Sequence, residues 1–167
     1  MRRYMVTLAL AGALAAGVLT SAATAATPPR SHSFSGSGKD FWNHGSHWVR
    51  HGSGAISFKT SGPGFYEYVN RFRGTYTSAC NGGTLHVKAS NVVIHKNGAF
   101  GFQTKQMLGS TRAYIKVSGK FTGSGTTARL EYLVDFVKKG QHVSNPYDTS
   151  RPGRLGCASW VKGTATG

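Results

Sequence analysis

From Ala55 to the end of the chain, apolar side chains return at every second position, and that period allows little besides β-structure. Ile56 and Phe58 alternate with Ser57 and Lys59. Leu85, Val87 and Ala89 alternate with His86 and Lys88, and Ile115, Val117, Gly119 and Phe121 with Lys116, Ser118 and Lys120. Ala128, Leu130, Tyr132, Val134 and Phe136 oppose Arg129, Glu131 and Asp135. Successive side chains of a strand point to opposite faces, so this pattern buries one face and wets the other. A run from Tyr66 to Cys80 reads as one long strand, with Tyr66, Tyr68, Asn70, Phe72, Gly74, Tyr76 and Ser78 turned inward. Cys157, Ser159 and Val161 open a final strand.

Glycine punctuates these runs at Ser61-Gly62-Pro63-Gly64, Lys96-Asn97-Gly98 and Gly123-Ser124-Gly125. Asn97-Gly98 is the pair favoured in two-residue hairpin turns. Beyond the N-terminal apolar run, no helical spacing persists past two turns. The expectation is an all-β domain, an antiparallel β-sandwich or partly closed barrel of about seven to nine strands.

The first 25 residues follow the pattern of an export signal. Arg2 and Arg3 precede an apolar run from Met5 to Leu19, and Ala23-Thr24-Ala25 supplies small residues for cleavage after Ala25. The arginine pair also permits twin-arginine export. No later segment is long and apolar enough to span a bilayer as a helix. Residues 26–54, rich in Ser, Gly and His, read as a flexible leader. Residues 55–167 read as a single β-domain carrying a long basic loop at 138–156. A secreted or envelope-associated chain meets an oxidising space, so Cys80 and Cys157 are expected to form one disulfide.

Several segments resemble, in order and spacing, a group of small exported actinobacterial β-domains with no assigned activity. They are Ile56-Ser57-Phe58, Cys80-Asn81-Gly82-Gly83, Asn97-Gly98-Ala99-Phe100-Gly101-Phe102, Val117-Ser118-Gly119-Lys120-Phe121-Thr122-Gly123 and Gly156-Cys157-Ala158-Ser159-Trp160. These are turn, strand and bridge motifs. The resemblance therefore implies fold, export and a disulfide, and carries over no catalytic residue.

Twenty Lys and Arg face five Asp and Glu, and removal of the signal takes only two of the bases. So few acids disfavour carboxylate catalysis. Glu131 and Asp135, four residues apart on one strand, would stand about 13 Å from each other, too far for a glycosidase pair. No G-x-S-x-G, H-E-x-x-H, G-x4-G-K-[ST] or C-x-x-C sequence occurs, and no cofactor is called for. Glu67, Arg71 and Arg73 near His86 could make an acid, base and phosphate clamp of a nuclease-like hydrolase. His44, His47 and His51, spaced H-x2-H-x3-H, are the candidate Zn²⁺ or Cu²⁺ ligands.

The basic side chains carry more. Arg71, Arg73, Lys88, Lys116, Lys120 and Arg129 fall on outward positions of their strands, and Lys138, Lys139, Arg151 and Arg154 decorate the long loop. This points to a non-catalytic binding domain for an anionic polymer: teichoic acid, nucleic acid or anionic lipid headgroups. The alternatives are a small secreted hydrolase and an exported inhibitor or toxin-like protein.

Overall fold

The computed structural model describes residues 27–44, 47–62, 67–80, 82–138, 140–141, 145, 147 and 158–167. Nine strands account for most of them: β1 (Ser33–His44), β2 (His47–Ser61), β3 (Glu67–Thr77), β4 (Thr84–Ala89), β5 (Val92–Ile94), β6 (Ala99–Leu108), β7 (Thr111–Thr122), β8 (Thr127–Lys138) and β9 (Ala158–Thr166). All belong to one antiparallel sheet, in the order β2-β1-β9-β8-β7-β6-β5-β3-β4, and pairing of β2 with β3 bends the sheet into a ring. Strands β4 and β5 share one edge of β3, opposite Phe72–Thr77 and Glu67–Val69 respectively. The wall is uneven. β6 pairs with β7 along its whole length, whereas β5 meets β6 only at Ile94 and Phe100. Beyond that point the Gln106 amide nitrogen reaches across the seam to donate to the His86 carbonyl, 2.5 Å away.

The ring closes over aromatic side chains delivered by the inward phase. Phe34 stacks on Phe58 with centroids 4.9 Å apart and meets Phe121 edge-on at 5.3 Å. Phe72 and Phe100 pack against the same Phe58. Facing positions alternate large and small to fit. A Cβ at Gly119 would stand 2.3 Å from the Phe100 ring, so only glycine lets that ring lie flat on β7. No helix among the described residues is long and apolar enough to cross a membrane.

Three sequence expectations change. The flexible leader at 26–54 is not one: Ser33–His44 forms β1, hydrogen-bonded to β2 on one side and β9 on the other. Its period of two was present in the sequence, but glycine stood where apolar residues were sought. Phe34, Gly38 and Asp40 are buried while Ser33, Ser35, Ser37 and Lys39 are exposed. Glycine there is required sterically, since a Cβ at Gly36 would meet the Thr164 carbonyl oxygen at 2.0 Å. Second, β3 does not keep one phase. Arg71 has φ of +51° and the register slips opposite it, so Val69 and Phe72 both point inward and Tyr68 is only half-buried. Third, the Asn97-Gly98 turn is longer than two residues. The Gly98 N–H donates to the His95 carbonyl, and only Gly98 takes positive φ, which makes a turn followed by a glycine bulge.

Ring closure leaves one backbone segment without a strand partner on one side. β3 pairs with β2 as far as Gly74 and then diverges towards β1, β8 and β9. Side chains replace the missing ladder. The Tyr132 hydroxyl donates to the Thr75 carbonyl, and the Thr77 N–H donates to Asp40 Oδ2 at 2.7 Å. The Thr77 carbonyl accepts from Ser159 Oγ at 2.7 Å and from the Trp42 indole at 3.1 Å, and Ser159 Oγ accepts from the Ala79 N–H. Asp40 is thereby fully buried, its Oδ1 and the nearby Tyr76 hydroxyl having no hydrogen-bond partner among the described residues. Burial raises the Asp40 carboxyl above its ordinary range, against the lowering effect of the Thr77 N–H.

A raised folded-state pKa favours the protonated form in the folded protein. The stability it contributes is complete below the ordinary carboxylate range and is lost as pH climbs through the folded value. Denaturant melts should therefore show wild-type stability declining from about pH 4 upward relative to Asp40→Asn, which keeps an acceptor for Thr77 and cannot ionise. Asp40→Leu should cost about 1–3 kcal/mol below about pH 4 by stranding the Thr77 N–H, and less at higher pH, where the wild type loses stability and the variant does not. Parallel pH profiles for wild type and Asp40→Asn would remove the carboxylate from this account.

Candidate functional site

Strand register turns the outer face of five adjacent strands into three cross-strand rows. Reading from β2 through β1, β9 and β8 to β7, the first row is Ala55, Ser37, Thr164, Arg129 and Lys120. The second is Ser53, Lys39, Lys162, Glu131 and Ser118, and the third is Arg50, Phe41, Trp160, Leu133 and Lys116. Neighbouring strands lie about 4.8 Å apart and successive rows about 6.7 Å apart. Six cations and one carboxylate thus share a patch roughly 20 Å wide. Lys39 stands directly opposite Lys162, and Lys120 directly opposite Arg129, an arrangement that like-charge repulsion disfavours.

Small residues hollow out this patch. Ser37, Gly38, Ser53, Ser118, Gly119, Gly163 and Thr164 floor an open groove of about 900 Å³, with Lys39, Arg50, Lys120, Arg129 and Lys162 around it. A Cβ at Gly163 would meet the Ser37 carbonyl oxygen at 2.5 Å, so β1 and β9 approach there as only glycine allows. The groove runs into a second pocket of about 300 Å³ bounded by Trp48, Lys116, Ser118, Glu131, Leu133 and Trp160.

Glu131 sits where the two join. Its Oε2 accepts from the Trp160 indole at 3.3 Å and its Oε1 from Ser118 Oγ at 3.5 Å. Phe41 and Trp48 flank Trp160 with centroid separations of 5.7 and 5.6 Å, and Lys162 Nζ lies 5.2 Å from the Trp160 ring.

Lys120 is brought into the groove beside Arg129, and Lys116 into the adjoining pocket. Arg71, Arg73 and Lys88 are exposed as expected but form a separate cluster: Arg73 faces Lys88 on β4 and Ser57 on β2. β3 is four strands from β8 in either direction around the ring but adjoins β2, so that cluster stands at the β2 margin of the patch, apart from Lys120 and Arg129. Lys138 ends β8, exposed. Lys139, Arg151 and Arg154 lie outside the described residues. Lys39, Arg50 and Lys162 were not singled out from the sequence, nor were Phe41, Trp48 and Trp160. Their outward phase was readable; that β1 lies beside β9 was not.

Other expected constellations fare differently. Glu67 faces Ile94 and contacts Arg30 at 3.8 Å, whereas His86 faces Thr75, so the nuclease-like set is not assembled. Asp135, expected outside with Glu131, is buried at 3 % exposure, opposite Tyr114. Tyr147 from the long loop covers this part of the outer face, edge-on to Tyr114 at 5.5 Å, its hydroxyl donating to the Thr104 carbonyl. His44 and His47 are backbone register partners at the ends of β1 and β2, and His51 is stacked on Trp42. Among the described residues no three His, Cys, Asp or Glu side chains gather as metal ligands. Cys80, which follows β3, is not a free thiol, and Cys157 lies outside the described residues.

No family model matches the sequence, and no curated protein or solved structure matches it either.

The opposed cations should have a measurable cost. Lys120→Thr, which removes the charge facing Arg129 and keeps strand propensity, should stabilise the domain by about 0.2–1 kcal/mol in low salt. The gain should fade at high ionic strength, where exposed charges are screened. A thermal melt unchanged at both salt concentrations would show that the pair is not under repulsion.

Proposed function

We propose that this is a non-catalytic secreted binding domain whose ligand is an anionic polymer, held on the outer face of β2, β1, β9, β8 and β7. One observation carries the reading: strand register collects Lys39, Arg50, Lys120, Arg129 and Lys162 around one groove, with Lys116 in the pocket that adjoins it, against the carboxylate of Glu131. Like charges placed directly opposite each other lower stability. An anion between them converts that repulsion into binding energy. The rows of fixed cations suit a chain with recurring charge, since each Lys or Arg that meets an anionic group also displaces a counterion from the polymer.

Export and the disulfide belong to the same proposal. The ligand is extracellular or part of the envelope, reached after removal of residues 1–25, and a Cys80–Cys157 bridge ties the turn after β3 to the segment entering β9. That Cys80 is not a free thiol supports the bridge. The separate cluster of Arg71, Arg73 and Lys88 at the β2 margin adds to the overall field that draws a polyanion in.

Retention on immobilised teichoic acid or heparin should fall steeply between about 50 and 500 mM salt. Lys120→Ala with Arg129→Ala should lower the slope of log affinity against log salt by about two, whereas Arg71→Ala with Arg73→Ala should change it less. Equal retention at both salt concentrations would exclude the groove as an electrostatic site. Separately, iodoacetamide should label the cysteines of the unfolded protein only after reduction, and reduction should cost about 2–5 kcal/mol of stability. Labelling without reductant would refute the bridge.

A further inference from the structure

Resting on the polyanion reading, the geometry points to a narrower ligand class: an anionic polysaccharide, one of whose sugar rings enters the pocket between Trp48, Trp160 and Glu131. The cationic groove and this pocket are continuous but differ in chemistry: the pocket has no excess of cations and is walled by indoles. In the groove, cations surround small residues. In the pocket a carboxylate occupies the junction, flanked by two indoles, Leu133, Ser118 and Lys116. Glu131 offsets the cations nearest it, Lys162 directly opposite and Lys116 beside it, so the pocket offers a phosphate or sulfate no net attraction and the part of the ligand that touches the carboxylate is uncharged and offers hydrogen-bond donors. Carboxylates only accept, and have about four lone-pair directions, of which Trp160 and Ser118 take two. Ring hydroxyls or an acetamido N–H supply the missing donors.

The indoles decide between a sugar and a base. Trp48 and Trp160 meet at 59°, with centroids 5.6 Å apart, forming a corner rather than a slot. A flat nucleobase gains most from parallel stacking against an aromatic face. A puckered pyranose fills a corner instead, its C–H groups against the indoles and its hydroxyls towards Glu131 and Lys116. The volume of about 300 Å³ accommodates one such ring. The remaining chain would then run across the Lys39–Lys162 and Lys120–Arg129 pairs, where carboxylate or sulfate groups of neighbouring sugars meet cations.

The full-length protein would be titrated with hyaluronan, polygalacturonate and chondroitin sulfate, with inorganic polyphosphate as charge without a ring, and with single-stranded DNA. At least one glycan is expected to bind more tightly than polyphosphate at equal charge. Glu131→Gln should weaken that glycan about tenfold while tightening polyphosphate, an opposition of sign that neither misfolding nor a purely electrostatic site produces. Trp160→Ala should weaken the glycan about tenfold or more and leave polyphosphate unchanged; if this variant does not fold, Glu131→Gln decides. Three glycans no tighter than polyphosphate, or a Glu131→Gln effect of the same sign on both probes, would overturn the sugar assignment and leave the polyanion reading standing. DNA binding that alone depends on Trp160 would assign the pocket to a base. Failure of every probe to bind wild type would defeat both readings.

Discussion

The architecture depends on how β3 closes the ring. A strand that departs from its partner carries its N–H and C=O groups into the interior, where leaving them unpaired costs more than the net value of a hydrogen bond. Here Asp40 from β1, Tyr132 from β8 and Ser159 from β9 bond directly to the backbone of Thr75–Ala79, with Trp42 reaching the same Thr77 carbonyl. A buried acid is normally a liability. This one is retained because it satisfies a main-chain donor, and its neighbours share the consequence: burial and the charge of Asp40 raise both the Tyr76 and the Tyr132 phenols.

That closure sets the outer face. With β3 held across to β1, β8 and β9, the N-terminal strand is fixed between β2 and β9, and residues more than a hundred positions apart become immediate neighbours. Lys39 faces Lys162, and Phe41 faces Trp160. A one-residue slip between β1 and β9 would turn the cations inward and the glycines outward. Gly36, Gly38 and Gly163 guard against it, because a Cβ at any of the three would press on neighbouring backbone or, at Gly38, on Val161. The same small residues leave the groove hollow, so the packing that fixes register also shapes the candidate binding surface.

Much of the fold was legible because period two is a local property. Ile56, Phe58, Val87, Ile115, Val117, Leu130, Tyr132 and Val134 are all buried where alternation put them. The outward phase of Lys116, Lys120 and Arg129 followed from the same rule. The failures have local causes too. β1 uses glycine on its inward face, invisible to a search for apolar residues, and the slip at Arg71 reverses a phase that the sequence alone continues. Asp135 and Val137 are buried on the nominally wet face of β8, with Tyr147 laid on that side against Tyr114.

The alternation of side chains along each strand, the all-β class and the excess of cations are one-dimensional properties, and the sequence by itself determined them. Which cations become neighbours is a question of strand order, and that depends on backbone pairing between distant segments. Only the tertiary structure separated Arg71, Arg73 and Lys88 from Lys116 and Lys120, and joined the latter to Lys39 and Lys162 from opposite ends of the chain. The physical reason is that a β-ladder is blind to sequence separation: its hydrogen bonds form between any two strands whose faces and registers agree, and only the closed ring shows which those are.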